Sequence, residues 1–319
     1  MRITQALPKL GTTELRCLLE SSASSSVSSL VLWRYAIHLA HKTVKPSWEG
    51  PFFKAGYRSF LLEARHYNLR GAGYTPDITL VGEDDWVVLE LTVNPASKKP
   101  KIEFYRTLSP DFLKPDHALS TPRGNRPPIP IVMRTNAGVP DGCAQIVVAE
   151  VVALHGMEQV TDAVLRSELL RLDGTSLTPI PQVRIAFVPD SNQREVRQGL
   201  AASIKSLLTT PGRKLDAHSL AEEGLDFLWS HTSEEGRRRL IDKIHEAMND
   251  LVKPEGGPLS EYVSTDETGY SCKGPVPPHP RSMERIEQLL DDWIERAKPG
   301  RQAKMSEYAA SAQGPQANR

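Results

Sequence analysis

Two carboxylates carry the most chemical information in this chain. Asp77 follows Pro76, and twelve residues separate it from Glu90, which opens Glu90-Leu91-Thr92. Around them run Tyr74-Thr75-Pro76-Asp77-Ile78-Thr79-Leu80-Val81, the turn residues Gly82-Glu83-Asp84-Asp85, and Trp86-Val87-Val88-Leu89-Glu90-Leu91-Thr92-Val93. Two β-branched apolar runs about a four-residue turn predict a hairpin. Side chains alternate faces along a strand, so Glu90 and Thr92 share a side and Leu91 enters the opposite layer. Antiparallel pairing can bring Asp77 close to Glu90, with the register left open. Two carboxylates aimed at one point repel, and a divalent cation relieves the repulsion. Mg²⁺ suits such a pair because it prefers oxygen, needs few protein ligands and completes its shell with water and phosphate.

Elements on either side must position this pair. Leu15, Leu18 and Leu19, then Leu30, Trp33, Ile37 and Leu39, predict helix over 12–45 around a serine-rich break. Tyr57, Phe60, Leu61, Ala64 and Tyr67 fall on one face of a second predicted helix, which ends at Gly71-Ala72-Gly73. After the hairpin, Pro95 stops the strand and Ser97 to Leu108 reads as a helix, with Pro100 in its first turn. Residues 109–128 are Pro-rich and basic and read as an exposed loop. Ile129–Met133 and Gln182–Val188 read as strands, Gln145–Ala153 as a strand or equally the beginning of a helix, and Met157–Leu172, 192–208, Arg237–Val252 and Ser282–Ala297 as helices. The Gly/Pro-rich stretch 254–281 reads as loop.

The order Pro-Asp, gap, Glu-x-Thr on a hairpin between helices resembles the PD-(D/E)XK nuclease superfamily over about residues 55–135. That resemblance implies an α/β fold with a restriction-endonuclease-like core, a mixed sheet flanked by helices, with helical additions at both ends. The implied organisation is a helical cap over 1–50, a nuclease core over 51–210, a mostly helical region over 211–297 and a disordered tail over 298–319. Asp77 and Glu90 become metal ligands with the Leu91 carbonyl as a third, for Mg²⁺ or Mn²⁺. Glu63, just off the apolar face of the predicted helix, resembles an extra acidic residue that some members supply. The chain departs from the pattern at Thr92, which stands where the family has its lysine. A hydroxyl supplies no positive charge to a phosphoryl transition state. Some members bring the lysine from the next helix, which here offers Lys98, Lys99 and Lys101. Lys98 and Lys101, three apart, share a helix face and are favoured over Lys99.

The implied activity is endonucleolytic hydrolysis of DNA, or of RNA, in a prokaryotic restriction or defence setting, as a homodimer or a subunit of a larger complex. The alternative is a degenerate nuclease fold that binds nucleic acid or a protein without cutting. Lys99, Lys114, Arg123, Arg126 and Arg134 are the candidate phosphate contacts.

Composition constrains the rest. The 319 residues carry 39 basic and 39 acidic side chains, 39% hydrophobic residues and three widely spaced cysteines, with mean hydropathy -0.37. This describes a soluble globular chain, with no apolar run long enough to span a membrane and a cytoplasmic setting expected. A disulfide framework and a Cys-based zinc site are both disfavoured. The neutral total conceals asymmetry: residues 1–70 hold ten Lys or Arg against four Asp or Glu, and 98–134 hold eight against three. There is no P-loop or Rossmann glycine pattern and no Gly-x-Ser-x-Gly elbow.

Overall fold

A computed structural model describes residues 29–43, 48–68, 71, 73–94, 96–110, 121–136, 138–177 and 185–297. Leu15, Leu18, Leu19, Lys114 and the tail 298–319 lie outside these residues.

Six strands form the main sheet: β1 (Ser59–Leu62), β2 (Ile78–Val81), β3 (Trp86–Thr92), β4 (Ile129–Arg134), β5 (Ala144–Val148) and β6 (Val152–His155), adjacent in chain order. Strands β1, β2 and β3 form an antiparallel meander, β4 and β5 run parallel to β3, and β6 turns back antiparallel to β5. The expected hairpin is present, with Val81 opposite Trp86 around the Gly82–Asp85 turn. The sheet is therefore mixed and flanked by helices, as expected.

Helix α1 (Ser29–Ala40), the short α2 (Pro51–Lys54), α4 (Ala163–Leu170), α5 (Gln193–Thr209), α6 (Ala217–Leu225), α7 (Glu234–Val252) and α8 (Pro280–Arg296) contribute to one apolar cluster with one face of the sheet. That cluster joins Ile78, Leu80, Val87, Leu89 and Ile131 to Trp33 and Ile37 of α1 and to Leu240, Ile244 and Trp293 of the C-terminal helices. The core is thus continuous across residue 210. Helix α3 (Lys99–Tyr105) links β3 to β4 and covers the other face, where Ile102, Phe104 and Tyr105 meet Trp86, Val88 and Val132. Pro100 lies in its first turn, where a missing N–H costs nothing.

Three local expectations fail. The second predicted helix, carrying Tyr57 to Tyr67, is absent: Ser59–Leu62 is strand, and the helix Pro51–Lys54 lies before it. Phe60, Leu61 and Leu62 are all buried because both sheet faces are covered, so their apolar run is that of a doubly covered strand. Glu63, at φ 53, then leaves extended geometry. The expected loop 254–281 contains a hairpin, β8 (Val263–Asp266) with β9 (Gly269–Cys272), which pairs with β7 (Lys214–Leu215). The described part of the expected Gln182–Val188 strand, from Ile185, is buried but not strand.

Both sheet edges are closed by later chain. On β1, Ser233 N donates to Leu62 O at 3.0 Å beside a Leu62–Thr232 bridge. On β6, Val152 bonds Gly174 and Thr175 through backbone, and Leu154 N donates to Asp173. Among the described residues no helix is long and apolar enough to cross a membrane.

Candidate active site

Ile78 pairs with Leu89, so the next step of the register sets Asp77 opposite Glu90, on the α3 side of the sheet. Both are buried, and Asp77 Oδ2 accepts a 2.6 Å hydrogen bond from the Leu91 amide. That bond locks the end of β3 onto the start of β2. Thr79, next on the same face, meets His66 Nε2 at 2.7 Å. Burial lowers the His66 pKa to about 4.

Glu90 is wholly buried and its charge is matched from α3. Lys101 Nζ donates to both carboxylate oxygens, at 3.1 and 2.9 Å, and the Tyr105 hydroxyl donates to Oε1 at 2.5 Å. Lys101 and Tyr105 are four apart and so share a helix face. Lys98 Nζ lies 4.0 Å from Glu90 Oε2 and is more accessible than Lys101. Thr92 does not turn toward this cluster; its Oγ1 donates to Asn94 O and accepts from Asn94 N, a local turn. Lys101 therefore puts an ammonium beside Glu90 where Thr92 has none to offer. Lys99, pointing elsewhere, pairs with Glu103 at 3.8 Å on the exposed side.

Glu63 sits beside this cluster by a route the sequence reading missed. It is not on a helix: its backbone N donates to Asp77 O, and its carboxylate is buried with Oε2 paired to Arg239 of α7. Its other oxygen, Oε1, is buried without a hydrogen-bond partner. The Ser233 hydroxyl holds the Glu63 carbonyl at 2.8 Å.

A second buried ion pair organises the approach to α3. Arg134, expected on the phosphate-facing surface, is fully buried and bonded to Asp141. Its position on β4, between two covered faces, removes it from any phosphate contact. Asp141 also accepts from Ser97 Oγ at 2.5 Å and from the Lys98 backbone N, which fixes the start of α3. The remaining described candidates are exposed: Arg123 pairs with Glu83 at 2.5 Å, and Arg126 contributes its carbonyl to Trp86 Nε1. The basic stretch 98–134 thus holds much of its charge in ion pairs.

Tyr105 could have been found from its four-residue spacing to Lys101. Arg239 gives no local signal because its partner Glu63 lies 176 residues away, and Asp141, though seven residues from Arg134, sits in an irregular connection with no periodicity to place it. Among the described residues no group of three or more His, Cys, Asp or Glu side chains is arranged to hold a metal ion. The donor chemistry of the pair is nevertheless that of a hard divalent cation, since Asp77 and Glu90 offer only oxygen, whereas the Glu63 carboxylate, with Oε1 unpartnered, is held by Arg239 of α7. His38 and His41 form no such set; His38 stacks on Trp48, and burial takes its pKa to about 4. No family model, no curated protein and no solved structure matches the chain.

Proposed function

We propose that the protein is a metal-dependent nuclease that hydrolyses phosphodiester bonds in DNA, with a PD-(D/E)XK-like site whose lysine comes from α3. One observation carries the reading: Lys101 brings its ammonium onto both oxygens of Glu90 in a chain whose motif position is Thr92. The pairing of Asp77 with the Leu91 amide, opposite Glu90 on a hairpin of a mixed sheet, supports it.

Asp77, Glu90 and the Leu91 carbonyl would hold Mg²⁺ or Mn²⁺. When bound, the ion would polarise a phosphate and lower the pKa of a water. Lys101 supplies the fixed positive charge. Almost fully desolvated, it acts with little screening on charge developing at a phosphate and orients the attacking water. Tyr105 fixes the rotamer of Glu90. Lys98, nearer solvent, meets the flanking phosphate. A second reading, a nucleic-acid-binding subunit that does not cut, is favoured by the engagement of both Glu90 oxygens, which a cation would have to share with Lys101.

Supercoiled DNA incubated with Mg²⁺ or Mn²⁺ tests both. Cutting by the wild type is expected, with a loss of about a thousandfold in Asp77→Ala and Glu90→Ala. Lys101→Met should lose about a hundredfold while keeping its far-ultraviolet spectrum. Undiminished cutting by Lys101→Met removes the migrated lysine. A gel shift without cutting under any metal selects the second reading.

A further inference from the structure

We propose that Ser233 and Arg239, at the start of α7, are positioning residues that hold the Asp77 carboxylate in place through Glu63. This deepens the nuclease reading and rests on it for what Asp77 does. Among the described residues, those other than glycine with a left-handed φ are Glu63 and Asp226, both at 53°. They stand on the two sides of one joint. Glu63 follows the last residue of β1, and Asp226 opens the 3₁₀ turn Asp226–His231 that leads into α7. A side chain crowds the backbone at such an angle, so the conformation persists where neighbours hold it.

For Glu63 those neighbours come from beyond residue 210. His231 stacks on Phe60 with ring centres 4.3 Å apart, Ser233 N donates to Leu62 O at 3.0 Å, and Ser233 Oγ donates to Glu63 O at 2.8 Å. The same hydroxyl accepts from Gly236 N at 3.0 Å and so caps α7. One buried side chain thus starts the helix and ends the strand. Arg239 closes on the Glu63 carboxylate from the second turn of α7. There is little slack in the joint: a Cβ on Gly236 would lie 3.1 Å from Ser233 Oγ and 3.5 Å from Glu63 Cβ.

From Glu63 the order passes to Asp77. Leu62 pairs with Ile78, and the next step along the two strands is the bond from Glu63 N to Asp77 O at 2.9 Å. Beyond it the pairing lapses until His66 meets Tyr74. Asp77 is held at the near side of that gap, and from there its carboxylate reaches the Leu91 amide at 2.6 Å. A shift at Glu63 therefore moves the backbone from which Asp77 projects. Misplacing a catalytic group by about 1 Å costs on the order of a hundredfold in rate. Ser233 and Arg239 act through Glu63, without touching the reacting atoms.

Amide hydrogen exchange of the full chain, read residue by residue, tests this without reference to any activity, because the Leu91 N–H is bonded to Asp77. In Ser233→Ala and in Arg239→Gln the Leu91 amide should exchange about tenfold faster than in the wild type, while Ile131 in β4 and Ala247 within α7 keep their rates. Ser233→Thr, which keeps a hydroxyl, should restore the wild-type rate. With supercoiled DNA and Mn²⁺, kcat of Ser233→Ala should fall about tenfold or more at unchanged KM and recover in Ser233→Thr. An equal rise at Leu91, Ile131 and Ala247 marks general loosening and overturns the proposal. So does a faster Leu91 in a protein whose kcat is unaltered, since Asp77 would then move without effect. Cutting by the wild type with Leu91 unchanged in both variants removes the positioning and keeps the nuclease reading. A Leu91 response confined to that amide, with no cutting by any form, keeps the positioning and removes the nuclease reading.

Discussion

The two faces of β3 are equally dry and are held by different physics. Val87 and Leu89 on one side, and Val88, Glu90 and Thr92 on the other, are all buried. On the first face stability is spread over interchangeable apolar neighbours from five or more helices. On the second, each polar group depends on a named partner: Glu90 on Lys101 and Tyr105, Asp77 on the Leu91 amide, Thr79 on His66. Burial by itself therefore says nothing about function here. What marks the α3 face is charge kept out of water by only a few contacts.

The comparison breaks or holds on single and paired substitutions. Glu90→Ala leaves the Lys101 ammonium buried and unmatched, and should cost about 3 to 5 kcal/mol in urea unfolding. Glu90→Leu combined with Lys101→Met removes both charges and should recover most of that loss. A cost below about 1 kcal/mol for Glu90→Ala would mean that the pair is solvated after all. Leu89→Ala, one residue away and facing the helices, should cost about 3 kcal/mol through lost transfer energy and a residual cavity. No single charge change elsewhere should restore it, which separates the two faces by rescue rather than by size.

The smallest effect is a pH dependence confined to buried histidines. His66 titrates at about 4 when folded and near 6.5 when unfolded, so the unfolded chain takes up the proton first. Its contribution is present in full above about pH 6.5 and is lost as pH falls toward 4. Between pH 6.5 and 5 the loss should be about 1.5 kcal/mol, since each unit is worth about 1.4 kcal/mol. His38 shares this window, and burial lowers His41 and His231 as well, so His66→Gln should remove part of the acid-side slope. An unchanged slope would assign the acid sensitivity to other groups.

The hairpin was legible because its signals are local, two β-branched apolar runs at 78–81 and 86–92 with turn residues between; its register, left open by the sequence, is set by the Val81–Trp86 pairing. Lys101 was legible for a similar reason, since a helix starting near Pro100 aims it back over the strand just left. Phe60-Leu61-Leu62 misled because a run buried on two faces has the same composition as a helix stripe. Glu63 misled because its partner Arg239 is 176 residues away, and Arg134 because its partner Asp141 lies in the irregular connection after β4, which carries no pattern. A charge count registers Arg134 as surface positive potential, whereas the fold uses it as an internal strut.

The bond from Ser233 to Leu62 also dates the sheet. The first edge strand is complete by residue 62, yet the segment that covers it is synthesised some 170 residues later. A nascent chain, or a fragment ending near residue 210, presents the open N–H and C=O row of β1 as a pairing template. Such a fragment should associate edge to edge where the full chain does not. The C-terminal helices thus act as a stopper on the sheet as well as a wall of the core.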